Sequence, residues 1–244
     1  MRNVVVTGGS RGLGLGIARR LAGAGYSVIA VARKQSDDLA AAIDEVAAAG
    51  SGALHFEAFD LADTEAIPAF AAGLRKSFGT VYGLVNNAGI GTSGMLANMH
   101  NSQIEDLIRL NTLAPIILTK YLVRAMMAGG EGRIVNIASI VASNGYSGLS
   151  VYSATKASLV GFTRSLAREV GKVGVNVNAI APGFVETDMT GGMDDAHHER
   201  LVRRSALRRL AEVDDIARSV EFLLGDGGRN ITGTLITIDA GGTA

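Results

Sequence analysis

Asn3-Val4-Val5-Val6-Thr7-Gly8-Gly9-Ser10-Arg11-Gly12-Leu13-Gly14 stands near the start of the chain, and Ile17-Ala18-Arg19-Arg20-Leu21-Ala22 follows at helical spacing. The β-branched run 3–7 reads as a strand buried on both faces, as in a parallel sheet. A glycine-rich turn and a helix come next. That order aims backbone N–H groups and a helix N-terminus at a phosphate. The common G-x-G-x-x-G fingerprint does not fit; Gly8, Gly12 and Gly14 give G-x-x-x-G-x-G instead. A tight turn without a ligand could use the same residues. Three glycines placed for close backbone approach favour phosphate binding.

The next strand is Ser27 to Arg33. A dinucleotide site without a 2′-phosphate usually carries an acid about 20 residues beyond the glycines, on the ribose hydroxyls. Here that count lands on Arg33-Lys34, and no acid appears until Asp37. Arg11 lies inside the glycine turn itself. Two cations at the adenosine ribose suit a 2′-phosphate, which a guanidinium grips in fork geometry. The residues therefore point to NADP(H) rather than NAD(H).

Strands and helices then alternate without interruption. Strands are expected at 53–59, 81–86, 133–138, 174–180 and 234–239, and helices at 36–49, 63–78, 100–127, 152–171 and 212–224. Asp60 ends the third strand, where it could bond an adenine amino group or cap the following helix. Asn87-Ala88-Gly89 ends the fourth, small enough for close approach of a ribose or nicotinamide. The 100–127 helix carries Asn111 and Pro115; proline removes a backbone donor, so a kink there would free a carbonyl to hold a water. Residues 188–210 read as a polar, mobile lid. No linker or internal repeat divides the chain. The expectation is an α/β fold over 1–244: one doubly wound, Rossmann-type domain, a seven-stranded parallel sheet with helices on both faces.

Composition narrows the chemistry. With 244 residues, 48% of them hydrophobic, the chain can bury a substantial core. Formal net charge is zero, so nothing favours nucleic acid or an anionic membrane. There are no cysteines, which removes disulfides, thiolate catalysis and Cys-based metal sites. The histidines, His55, His100, His197 and His198, show no metal-ligand spacing. No signal peptide or membrane-length apolar run is visible, and the expectation is a soluble cytoplasmic protein.

Tyr152-Ser153-Ala154-Thr155-Lys156 places a phenol and an ammonium on one helical face. An ammonium near a phenol favours the phenolate, so the tyrosine pKa is expected to fall below its usual value of about 10. Such a tyrosine can trade a proton with a carbonyl or alcohol oxygen. Ser139 closes the fifth strand, at the end of a parallel sheet where ligands bind.

Taken together, these motifs resemble the short-chain dehydrogenase/reductase family over nearly the whole chain. Thr7 to Gly14 is similar to that family's T-G-x-x-x-G-x-G turn, Asn86-Asn87-Ala88-Gly89 to its N-N-A-G motif, and Pro182-Gly183 to its P-G element. Asn111, Ser139, Tyr152 and Lys156 match its catalytic tetrad in order and spacing. The resemblance implies that Tyr152 is the general acid in reduction and that Ser139 holds the substrate oxygen. Lys156 would bond the nicotinamide ribose, and Asn111 would keep a water that resupplies protons. It implies cofactor contacts from Gly8, Ser10, Arg11, Gly12, Leu13, Gly14, Arg33, Asp60, Leu61, Asn87, Ala88, Gly89, Pro182, Gly183, Val185 and Thr187. It also implies a homotetramer.

Within the family the chain is most similar to 3-oxoacyl-acyl-carrier-protein reductases, through Gly161 to Glu169 and Ala181 to Met189. Two departures stand out. Leu149 and Val151 replace the usual Gln and Asn before the tyrosine. Gly130, Glu131 and Val173, beside a single Lys172, stand where basic residues would dock an acidic carrier protein. Alternatives are a dehydrogenase of a small free ketone, alcohol or sugar, and a dinucleotide sensor without catalysis.

Overall fold

In the computed structural model, which describes residues 1–185 and 195–244, β1 (Asn3–Thr7) enters the core at once, with Val4, Val5 and Val6 fully buried. Side chains alternate across a strand, and the alternation sorts these three. Val4 and Val6 pack with α1 (Gly12–Gly23), α2 (Asp37–Ala49) and α8 (Val213–Leu224). Val5 packs with α3 (Ile67–Phe78), α5 (Ala114–Gly129) and α6 (Ser150–Val170) on the other face. Each large apolar side chain buried this way contributes about 1.5–3 kcal/mol. Coverage of both faces is why the strands read as unbroken apolar runs.

The remaining strands are β2 (Ser27–Ala32), β3 (Ala53–Ala58), β4 (Val81–Asn86), β5 (Gly132–Ile137), β6 (Val175–Pro182) and β7 (Leu235–Ile238). All seven are parallel, in the order β3-β2-β1-β4-β5-β6-β7. Val5 sits between Ile29 of β2 and Leu84 of β4. The winding reverses between β1 and β4, which opens a crevice at their carboxyl ends. This is the expected doubly wound sheet.

Two helices depart from expectation. The helix expected from residue 63 begins at Ile67, with Pro68 in its first turn. Before it, the carboxylates of Asp60 and Asp63 accept from the Ala62 and Ala66 amides at 3.0 and 3.2 Å. Such local bonds compete with helix, and proline is preset for a helix start. Asp60 therefore closes a turn and does not cap the helix. The single helix expected over 100–127 is two, α4 (Asn101–Ile108) and α5, joined by a π-turn at Arg109–Leu113. Pro115 has no N–H to give the Asn111 carbonyl, and its ring crowds that carbonyl. The chain widens there, and the Ala114 amide reaches back five residues to Arg109.

Of the stretch expected as a lid, Asp195–Arg204 form α7. Residues 188–194 lie outside the described residues.

Candidate active site

The glycine turn takes its shape from contacts that leave no room for side chains. Gly8 and Gly12 have φ of +66° and +53°, a region glycine enters without steric cost. A Cβ on Gly14 would fall 2.1 Å from the Gly8 carbonyl oxygen. The Gly8 and Gly9 amides bond the Val31 carbonyl at 2.8 and 3.3 Å. The amides left to a ligand are thus those of the first turn of α1, Gly12 to Gly14, which no side chain caps. Uncapped helical N–H groups above a cradle that a Cβ would fill suit a pyrophosphate.

The cationic rim is positioned by a serine the sequence reading overlooked. Ser36 caps α2 by accepting from the Leu39 amide at 3.1 Å, and its hydroxyl donates to the Ser10 carbonyl. That bond draws the turn carrying exposed Arg33 against the glycine turn carrying exposed Arg11. Leu61 lies in the core, and Asp60, beside it, is exposed.

Thr7 joins the glycine turn to the end of β4. Its hydroxyl accepts from the Asn87 and Ala88 amides at 2.9 and 3.0 Å, and the Asn87 side chain donates back to the Thr7 carbonyl at 2.9 Å. In the sequence Thr7 reads only as the first residue of the glycine motif, without this role. Gly89 follows: a Cβ there would meet Asn111 Oδ1 at 3.1 Å and Lys156 Nζ at 3.6 Å. Gly89 thus places the small-residue motif against two candidate residues distant in sequence.

Asn111 is 1% exposed and its amide is fully engaged. It accepts from the Ile90 amide at 2.9 Å, donates to the Ile90 carbonyl at 2.8 Å, and donates to Thr155 Oγ1 at 3.2 Å. Thr155 in turn donates to the Tyr152 carbonyl at 2.7 Å. Lys156 is 4% exposed, and its Nζ donates to the Ile137 carbonyl at 2.8 Å, where β5 ends. Ser139 follows two residues later, with its hydroxyl beside the Tyr152 phenol.

The electrostatics correct one expectation. Burial raises the Tyr152 pKa above the ordinary phenol value, and the Ser139 hydrogen bond lowers it only in part. The ammonium lies 5.7 Å from the ring centroid with its bond on the Ile137 carbonyl, and it does not reverse the effect. Burial also lowers the Lys156 pKa to about 8. Desolvation disfavours each charged form, so at neutral pH the phenol keeps its proton. A neutral phenol and a serine hydroxyl converge at one end of the sheet, and a carbonyl oxygen there could accept from both.

Pro182 ends β6, and the Gly183 amide bonds the Ile238 carbonyl at 2.8 Å. A Cβ on Gly183 would fall 2.6 Å from the Asp239 side chain. Val185 makes a lone β-bridge to Ala211. Thr187 lies outside the described residues. A cavity of about 490 Å³, lined by Arg133, Asn176 and Arg229 among others, is at the amino ends of β5 and β6, away from this site. Among the described residues no cluster could hold a metal ion, and no helix is long and apolar enough to cross a membrane.

Comparison with known proteins agrees with this geometry. A family model described as short chain dehydrogenase matches residues 2–198. The 3-oxoacyl-acyl-carrier-protein reductase FabG of Escherichia coli (strain K12) is 38% identical over 237 residues, covering 97% of this chain and 95% of that protein. A short chain dehydrogenase from Burkholderia cenocepacia J2315 in complex with NADP superimposes with a TM-score of 0.90 at 35% identity, covering 100% of this chain and 98% of the other. A gluconate 5-dehydrogenase from the same organism, with NADP and tartrate, gives 0.93 at 27% identity, covering 99% and 95%.

Proposed function

The chain belongs to the short chain dehydrogenase family, and from that premise we propose that it uses NADPH to reduce a carbonyl to an alcohol, with a 3-oxoacyl thioester as substrate. The observation that carries the reading is the half-buried Tyr152 phenol beside Ser139, one helical turn from buried Lys156.

The glycine turn and the first amides of α1 would hold the pyrophosphate, Arg11 and Arg33 would take the 2′-phosphate, and Asn87 to Gly89 with Pro182 and Gly183 would line the nicotinamide end. When bound, the reduced nicotinamide supplies the hydride. Tyr152 gives its proton to the carbonyl oxygen, and Ser139 donates a hydrogen bond to the same oxygen. With the cofactor bound, Lys156 would hold a ribose hydroxyl, and its ammonium would favour the phenolate left behind. The Asn111 side chain is taken by Ile90 and Thr155. Any water it keeps for proton resupply is therefore held by its main-chain carbonyl, the one Pro115 leaves without its usual partner.

Gly130 and Glu131 offer no cation, and Glu131 is paired with Arg2 at 2.6 Å. An acyl group on a small thiol carrier suits this surface better than one on an acidic protein. Exposed Ile108 and Leu113, beside the π-turn, support a homotetramer that covers the α4–α5 face.

The test is NADPH oxidation against a panel of an acetoacetyl thioester, free ketones and a keto-sugar acid, repeated with NADH. Turnover of the thioester with NADPH above the other pairs is expected. Turnover of the sugar acid alone would favour the dehydrogenase reading. Nucleotide binding with no turnover of any member would favour a sensor.

A further inference from the structure

Two rungs of the same form tie the π-turn to α6. In the first, Asn111 Nδ2 donates to Thr155 Oγ1 at 3.2 Å, and Thr155 Oγ1 donates to the Tyr152 carbonyl at 2.7 Å. In the second, the Thr112 and Ser158 hydroxyls lie 3.0 Å apart, and Ser158 Oγ donates to the Thr155 carbonyl at 2.6 Å. A serine hydroxyl has one proton to give, so Thr112 is the donor of that pair. Each rung runs from a side chain of the π-turn, through a hydroxyl of α6, to a backbone carbonyl of α6.

Helix propensity does not account for these hydroxyls. Inside a helix threonine is less favourable than alanine, and a side-chain bond to a carbonyl one turn back competes with the helical ladder. Thr155 is 2% exposed, so its hydroxyl depends on the protein for partners. The partners it finds are Asn111 and the backbone of Tyr152. Asn111 in turn clamps the Ile90 amide and carbonyl at 2.9 and 2.8 Å, and Ile90 follows directly on Asn87 to Gly89. Thr155 carries that chain of bonds across to the tyrosine. Ser158, half-buried, has its bonds on Thr112 and the Thr155 carbonyl, one turn further from the phenol.

We propose that Thr155 is a positioning residue, whose hydroxyl fixes the Tyr152 backbone relative to the segment that receives the nicotinamide. This rests on the carbonyl-reduction reading above and adds a residue that acts through Tyr152. Proton donor and hydride donor must meet one carbonyl group, and a misplacement of about 1 Å can cost about 10²-fold in rate. The Thr112–Ser158 rung holds the same two elements without touching Tyr152, so it contributes to stability and not to turnover.

The experiment compares Thr155→Val, Thr155→Ser and Ser158→Ala with wild type. It reads kcat and KM for an acetoacetyl thioester with NADPH, NADPH affinity by fluorescence, and the urea midpoint. Valine keeps the shape of threonine without the hydroxyl; serine keeps the hydroxyl without the methyl. Thr155→Val is expected to lower kcat by at least about tenfold, with NADPH affinity and KM within about threefold of wild type. Thr155→Ser should keep kcat within about threefold, and Ser158→Ala should do so while lowering the urea midpoint. If Thr155→Val does not fold, Thr155→Ala removes the same hydroxyl with a better helix former and carries the same expectation. A smaller loss of kcat in the hydroxyl-free variant overturns the inference. An equal loss in Ser158→Ala overturns it by making general α6 packing the cause, and an equal loss in Thr155→Ser by making the methyl group the cause. Absence of wild-type turnover with the thioester and with free ketones overturns it together with the reading it rests on.

Discussion

Lys156 carries a charge in a place where water cannot solvate it. Its pKa is lowered from 10.5 to about 8 by burial, and its single described bond is to a backbone carbonyl. The folded state therefore disfavours the ammonium. That cost is fully present below about pH 8 and is relieved as pH rises towards 10.5, because there the unfolded chain still binds a proton that the folded chain has released. Lys156→Met, in the cofactor-free protein, should be more stable than wild type at pH 7, on the order of 1–3 kcal/mol in urea unfolding. It should also lack the gain in stability wild type shows between pH 8 and 10. A variant less stable at pH 7 with the same pH dependence would show that the lysine is held for packing. The Tyr-x-x-x-Lys pair was legible in the sequence; the sign of its electrostatics was not. Spacing puts two side chains on one face, but desolvation depends on what covers them, and α6 tucks both under the end of β5.

Breaking a helix at the right place positions what a straight one could not. The π-turn at Arg109–Leu113 turns Asn111 inward, where it clamps both backbone groups of Ile90 and reaches Thr155 on α6. The segment that leaves β4 and the second turn of α6 are tied by one amide. A parallel device runs beneath: Asn86 donates to Asn136 at 2.8 Å and Asn136 to Thr163 at 2.8 Å, linking β4, β5 and α6 through the core. Asn111→Ala should cost about 2–4 kcal/mol, since it leaves the Ile90 amide and carbonyl and the Thr155 hydroxyl short of partners. A loss below about 0.5 kcal/mol would mean that water replaces the clamp without penalty. The same change on an exposed helix would stabilise, because alanine is the better helix former. Pro115 signalled a bend in the sequence; that the bend is a widened turn depends on the contacts Asn111 finds. Likewise Ser36 gave no signal, and Thr7 stood out only as the start of the glycine motif, as their roles arise from hydroxyls meeting backbone across the crevice. The late start of α3 was missed because Asp60 and Asp63 could equally cap a helix or close a turn.

At the scale of the molecule, strand order makes the site. The glycine turn after β1 and the small residues after β4 meet because the winding reverses between those strands. Ser139 after β5 and Gly183 after β6 come to the same edge. The alternation of apolar runs with amphipathic ones was enough to read a doubly wound parallel sheet from the sequence, though not its strand order, since a strand covered on both faces leaves an unbroken apolar signature. In the proposed reaction the Tyr152 phenol keeps its proton until a carbonyl oxygen takes it. The direct test is Tyr152→Phe, assayed for NADPH binding by fluorescence and for thioester reduction. We expect NADPH affinity within about twofold of wild type and turnover lower by about 10²–10⁴. Turnover near wild type, with binding unchanged, would contradict the account.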